Sequence, residues 1–154
     1  MEVKEAKIIV RYWIIPITYD NWLVCHGELI YGFRESLENL IRAEDVITFY
    51  MMKSRYRNPD YTACFVGAYE VIGKWFREDK PLWPDEKGVG KILYPYRVKI
   101  RLVKDGKVKA EELIGRLSFI KNKGRWQVYF RGCPANFRKP VSEEDTRLII
   151  ESLR

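Results

Sequence analysis

Apolar positions along this chain fall into runs whose spacing changes several times, and those changes predict its elements. Lys7 to Ile17 is dense in β-branched and aromatic residues and carries Pro16 near its end. It reads as a strand buried on both faces, with the proline marking its end or a sheet edge. Thr18 or Asp20 is placed to cap a short helix from Asn21 to about His26, and Gly27 stops it. Glu28 to Phe33 is too short for another helix. Its Tyr31-Gly32-Phe33 core lets a ligand or a backbone approach the aromatics on either side, so the segment is read as a pocket wall.

Further on, Ser36 caps a predicted short helix with Leu37, Leu40 and Ile41 at helical spacing, and a polar turn feeds a strand from Val46 to Met52. Lys53 to Tyr61 is a turn-rich excursion with Asn58-Pro59-Asp60 at its tip. Thr62 to Phe76 is a long strand, bulged at Gly67 and Gly73. Arg77 to Lys91, punctuated by prolines and glycines, is a surface loop around Trp83. In Arg97 to Val103, Val98, Ile100 and Leu102 alternate with Arg97, Lys99 and Arg101, which predicts a half-buried strand with one wet, basic face. Lys104 to Lys107 is then a turn, Ala110 to Leu117 a short helix, and Leu117 to Cys133 a hairpin around a basic tip. Ser142 caps a last helix with acidic residues in its first turn and a buried stripe of Leu148, Ile149 and Leu153. Strands and short helices mix without βαβ alternation, so the fold class is α+β, with a curled and mostly antiparallel sheet.

Composition narrows the class. A chain of 154 residues with 47% hydrophobic content is expected to form a single domain over 1–154 without disulfides or metal. No apolar run reaches the roughly 18 residues of a membrane span, and the charged start is no secretory signal, so a cytoplasmic protein is expected. Cys25, Cys64 and Cys133 are widely spaced and read as reduced thiols. A single glutamine, Gln127, against plentiful lysine, arginine and glutamate is a thermophile-like bias. The net charge of +7 favours polyanionic partners and is also compatible with plain solubility.

Machinery for catalysis is missing. His26 is the only histidine, no serine lies in a GxSxG setting, and adjacent helical residues such as Cys25 and His26 point about 100° apart and cannot form a dyad. Metal-ligand spacing is absent, and Gly88 to Lys91 lacks the first glycine and the hydroxyl residue of a phosphate loop. No enzyme, no cofactor and no catalytic residue is expected. Two readings stay open for the aromatic and basic residues of Leu117 to Cys133: aromatic faces for an unstacked base with cations for its phosphates, or a solvated tip over a packed core.

Read in order, Tyr12-Trp13-Ile14, Asn21-Trp22, Tyr31-Gly32, the strand from Asp45 to Tyr50, Tyr94-Pro95-Tyr96-Arg97-Val98 and Phe119 to Lys123 with Trp126 resemble the EVE domain family over about Arg11 to Leu153. The resemblance implies a PUA-like pseudo-β-barrel of about five or six strands with short flanking helices, kinship with the YTH readers of methylated RNA, and a reader of modified bases in DNA or RNA, with modified cytosine the usual suggestion. By position it implies a base pocket: Tyr31 as a cage wall, where members often carry tryptophan, Gly32 as neighbouring backbone, Ile17, Thr18 and Asn21 as lining, Trp83 as a second wall, and Arg131 at the rim. Beside that pocket Lys121, Lys123, Arg125 and Arg138 are expected to supply phosphate contacts. A small-molecule or nucleoside sensor, or a protein-interaction module, is the alternative use of the same pocket.

Overall fold

The computed structural model describes residues 9–52, 59–130 and 139–154. Five strands form one curled sheet: β1 (Tyr12–Ile17), β2 (Ile30–Phe33), β3 (Val46–Met51), β4 (Cys64–Arg77) and β5 (Tyr96–Lys109), in the order β1-β3-β4-β5-β2. Helix α1 (Tyr19–Glu28) joins β1 to β2, α2 (Pro84–Val89) lies between β4 and β5, and α3 (Glu143–Ser152) closes the chain. This is an α+β half-barrel. Every pairing is antiparallel except β1 with β3.

The order leaves β1 and β2 as the two edges, and α1 crosses between them because it follows one and leads directly into the other. Pro16, without an N–H, sits on the β1 edge, where no ladder bond is lost. The curl comes from β4, whose register shifts at Val66/Ala68 and again between Ile72 and Phe76. At the first shift Gly67 adopts φ +70°, and a Cβ there would meet the Tyr69 ring at 2.7 Å; only glycine fits this bulge.

Two apolar clusters form around the sheet. One gathers Trp13, Ile15, Ile17, Trp22, Cys25, Tyr31, Phe49 and Trp83. The other gathers Ile14, Tyr50, Phe65, Val108, Leu117, Phe130, Ile149 and Leu153. Trp13 and Ile15 belong to one cluster and Ile14, between them, to the other, which is the two-residue period of a strand buried on both faces. Trp13 also donates from Nε1 to Asp45 Oδ2 at 2.9 Å, while the amides of Arg11 and Arg42 donate to the same buried carboxylate at 3.1 and 3.0 Å.

Several sequence expectations change. Helix α1 begins at Tyr19 and runs past Gly27 to Glu28, ending where Leu29 turns left-handed at φ 55°. Thr18 is its N-cap by backbone, yet its hydroxyl makes no capping bond. Leu37 to Ile41 makes one turn, with the amides of Leu40 and Ile41 both on the Leu37 carbonyl; a single turn is too little to propagate a helix. The loop around Trp83 contains α2, which starts at Pro84, a first-turn position where the missing N–H is harmless. Lys104 to Lys107 is no turn: β5 continues through it, paired to Val66 and Ala68, with Gly106 taking φ +122°. Arg97 is not on a wet face but 1% exposed. Ala110 to Leu117 holds only the short 3₁₀ helix Ala110–Glu112. Among the described residues Leu117 to Phe130 contains no strand but 3₁₀ turns over Lys123–Phe130, and Tyr129 Oη accepts from the amides of Lys121 and Asn122, at 2.9 Å each, which a hairpin would have paired. The last helix is as expected, with Ser142 Oγ accepting from the Asp145 amide. Lys53 to Asn58 and Cys133 lie outside the described residues.

Candidate functional site

The open seam between β1 and β2 holds a cavity of about 190 Å³. Pro16 and Ile17 at the end of β1, Thr18, Asn21 and Cys25 on α1, and Tyr31, Gly32 and Phe33 of β2 form its sides, and Trp83, Asp85 and Tyr94 close it from around α2. Thr18, Asn21 and Cys25 share one helical face, being three and four residues apart. The volume lies below the roughly 300–1,000 Å³ of drug-sized sites, which suits one small planar group.

Two of the walls are largely packed into the protein. Tyr31 is 5% exposed, its ring 5.7 Å from that of Phe49 and edge-on to Trp75 at 6.3 Å. Trp83 is 2% exposed and donates from Nε1 to Cys25 Sγ at 3.3 Å, with the Tyr94 ring set edge-on at 5.5 Å. Its benzene edge rests on Gly32, where a Cβ would stand 2.3 Å from Cη2. Glycine at residue 32 is therefore a packing requirement of Trp83.

Beneath Trp83 lies Arg97, its guanidinium 5.0 Å from the indole centroid. It donates to Tyr94 O at 3.0 Å, to Glu78 at 3.1 Å and to Lys80 O, and stands 3.5 Å from Glu86 Oε1. Glu86, fully buried, accepts from the amides of Leu82 and Trp83 through Oε1 and of Leu93 and Tyr94 through Oε2. Burial alone would push its carboxyl up, but the four N–H donors outweigh that and its pKa is lowered. One ion pair thus joins the two ends of the segment that carries Trp83, Asp85 and Tyr94.

The polar wall is a connected set. Asn21 Nδ2 donates to Asp85 Oδ2 at 3.1 Å, the Tyr94 hydroxyl donates to the same oxygen, and the Glu86 amide donates to Oδ1 at 2.9 Å. Burial, and then the Asp85 bond, raises the Tyr94 pKa, so its hydroxyl remains a donor at neutral pH. With Nδ2 committed to Asp85, the Asn21 carbonyl is left to accept.

Of the residues assigned to a base pocket from sequence, Ile17, Thr18, Asn21, Tyr31, Gly32 and Trp83 all line this one cavity. Arg131 and Arg138 lie outside the described residues. Lys121, Lys123 and Arg125 do not meet the cavity: they are exposed on the segment from Leu117 to Phe130, which packs into the second cluster rather than the one that holds Tyr31 and Trp83. Lys123 Nζ is already held by the Leu117 carbonyl at 2.9 Å. The only charged side chain lining the cavity among the described residues is a carboxylate, Asp85. Sequence reading missed Asp85 and Tyr94; the signal available was their place, two residues after Trp83 and at the head of the Tyr94-Pro95-Tyr96 motif.

Cys25 and His26 have separate partners. The thiol, raised to about 12 by burial, faces Trp83, while His26 Nδ1 lies 2.8 Å from Tyr69 Oη and its ring stacks on Trp22. A buried thiol of that pKa carries almost no thiolate at neutral pH. Among the described residues no group of three or more His, Cys, Asp or Glu is placed to hold a metal, and no helix is long and apolar enough to cross a membrane.

The curled five-stranded sheet is a pseudo-barrel whose fold is similar to that of solved YTH domains. The chain covers 93% of itself and 81% of the Mmi1 YTH domain solved with RNA, at a TM-score of 0.58 and 15% identity. It covers 97% of itself and 92% of the YTH domain of the Zygosaccharomyces rouxii MRB1 protein, solved with N6-methyladenosine RNA, at 0.51 and 13%. The chain belongs to the EVE domain family, whose model matches residues 11–152. A UPF0310 protein of Saccharolobus solfataricus is 34% identical over 143 residues, 93% of this chain and 95% of the relative. One of Pyrococcus abyssi is 32% identical over 145 residues, 92% and 98%.

Proposed function

We propose that this chain is a non-catalytic nucleic-acid reader, acting as one domain, that takes a single modified base into the cavity between β1 and β2. The observation that carries the reading is the convergence of Ile17, Thr18, Asn21, Tyr31, Gly32 and Trp83 on one cavity between the two edge strands of the sheet. A cavity this size accepts a base only after the base leaves its stack. Extrusion costs a few kcal/mol, and contact with aromatic walls returns about 1–3 kcal/mol per base. The Asn21 carbonyl and the Thr18 hydroxyl, which have no hydrogen-bond partner among the described residues, would read a base edge. That a YTH domain of the same fold is solved with N6-methyladenosine RNA supports a nucleic-acid partner. Phosphates would be met away from the cavity, by exposed cations such as Lys121 and Arg125.

The absence of lysine or arginine from the described lining favours a second reading, a sensor of free nucleosides. Titration of methylated nucleosides, and then of oligonucleotides carrying the same base at two salt concentrations, separates the two. A reader binds the oligonucleotide more tightly and loses that advantage as salt rises. Equal affinity for nucleoside and oligonucleotide at both salts rejects the reader in favour of the sensor, and no binding of either rejects base capture.

A further inference from the structure

We infer that the cavity selects a positively charged ring, a base methylated on a lone-pair ring nitrogen such as N1 of adenine or N3 of cytosine and therefore cationic at neutral pH, over its neutral methylated isomer. This rests on the base-capture reading and specifies its ligand. Four aromatic rings line the cavity, those of Tyr31, Phe33, Trp83 and Tyr94. Aromatic faces carry negative quadrupole, and a cage of them is the common means of binding methylated cations. The same walls would stack a neutral base equally well, so the aromatics alone do not decide between the two.

The charges decide it. Asp85 lines the cavity, and no lysine or arginine does among the described residues. Its Oδ2 accepts from Asn21 and Tyr94, whereas Oδ1 accepts only the Glu86 amide, at 2.9 Å. One acceptor direction on Oδ1 therefore remains for a ligand N–H. Such a bond strengthens when the donor ring is charged.

Among the described residues two guanidinium groups touch the walls, and neither supplies a competing charge. Arg97 lies on Trp83 but is ion-paired to both Glu78 and Glu86, so that group of three carries a net negative charge. Arg34, 5.4 Å from the Phe33 centroid, is exposed and does not line the cavity; water and salt screen it. A neutral base gains stacking and one N–H bond, while a cationic one gains in addition from the charge of the carboxylate and the ring faces.

Isomeric nucleosides make the test direct, because each pair carries the same ring and one methyl group and differs in charge and in where the methyl sits; using two pairs with different methyl positions separates charge from shape. Titrating the intact chain with 1-methyladenosine against N6-methyladenosine, and with 3-methylcytidine against 5-methylcytidine, is expected to give the cationic member at least a tenfold advantage. Asp85→Asn should shrink that ratio several-fold, and a ratio unchanged in a folded Asp85→Asn variant would remove the carboxylate from the selection. Should this variant unfold, the wild-type ratio alone decides. A ratio at or below one in both pairs overturns the inference and leaves base capture standing. Failure of all four nucleosides and of oligonucleotides containing them overturns base capture and the inference together.

Discussion

The indole of Trp83 rests on Gly32 so closely that any side chain at residue 32 would occupy its place, with Cη2 only 2.3 Å from an added Cβ. Gly32 pairs with Arg97 across β2 and β5, and Arg97 lies against the same indole. The position of one cavity wall is therefore set by a missing side chain and a buried cation.

Gly32→Ala should force the indole out of its place, at the expense of its contacts with Cys25 and Arg97. Overpacking of this kind costs about 1–3 kcal/mol. Urea unfolding should show a lower midpoint with unchanged slope, and nucleoside affinity should fall along with it. A variant of wild-type stability and affinity would mean that Trp83 is free to move.

Glu86→Gln should be more damaging than Arg97→Met. The first leaves Arg97 with Glu78 as its remaining carboxylate and sets an amide NH₂ against backbone donors that had a carboxylate oxygen to meet, and each donor left unpaired costs about 1–3 kcal/mol. The second keeps the apolar stem against Trp83 and leaves Glu86 its four amide donors. Equilibrium unfolding of both variants and of the double variant measures the coupling; additive losses would show that the pair acts as two independent groups.

The lowered Glu86 pKa also fixes a pH dependence. A carboxyl whose folded pKa is below its unfolded value of about 4.3 binds more protons when unfolded, so its contribution is complete above that value and is lost as pH falls through the folded pKa. Stability should therefore decline below about pH 4.5, and Glu86→Gln should flatten this decline. An equally steep acid decline in the variant would place the responsible carboxylates elsewhere.

Thr18→Val and Asn21→Ala should separate binding from folding. Thr18 makes no capping bond, so the usual loss of about 1 kcal/mol for a removed cap should not appear. Each variant should weaken nucleoside binding by about tenfold, the worth of one hydrogen bond to a ligand, with little change in unfolding midpoint for Thr18→Val and a fall of about 1 kcal/mol in stability for Asn21→Ala, which loses its bond to Asp85. Unchanged affinity in both would remove the α1 face from the site.

Lys121→Ala and Arg125→Ala should leave free-nucleoside affinity untouched, because these residues are remote from the cavity cluster. Modified and unmodified oligonucleotides should weaken equally, and the salt dependence should become shallower by about one charge per substitution. A loss confined to the modified oligonucleotide would contradict a phosphate role.

What the sequence determined by itself was whatever depends on neighbours along the chain. The two-sided burial of Tyr12–Ile17, the β4 bulges at Gly67 and Gly73, the apolar alternation of Val98 and Ile100, and the Ser142 cap follow from local period, backbone freedom and capping chemistry. Family resemblance added the residues that share the cavity. Tertiary structure decided whatever depends on which segments meet. Strand order put β1 and β2 at the two edges of the sheet, Arg97 was buried because Glu86 and Glu78 reached it from α2 and the end of β4, and the expected hairpin gave way to 3₁₀ turns where Tyr129 served two backbone amides instead. Only the fold could place Asp85 in the cavity and Lys121 and Arg125 away from it, because charge acts through space and the separation of side chains across a sheet is invisible in their order along the chain.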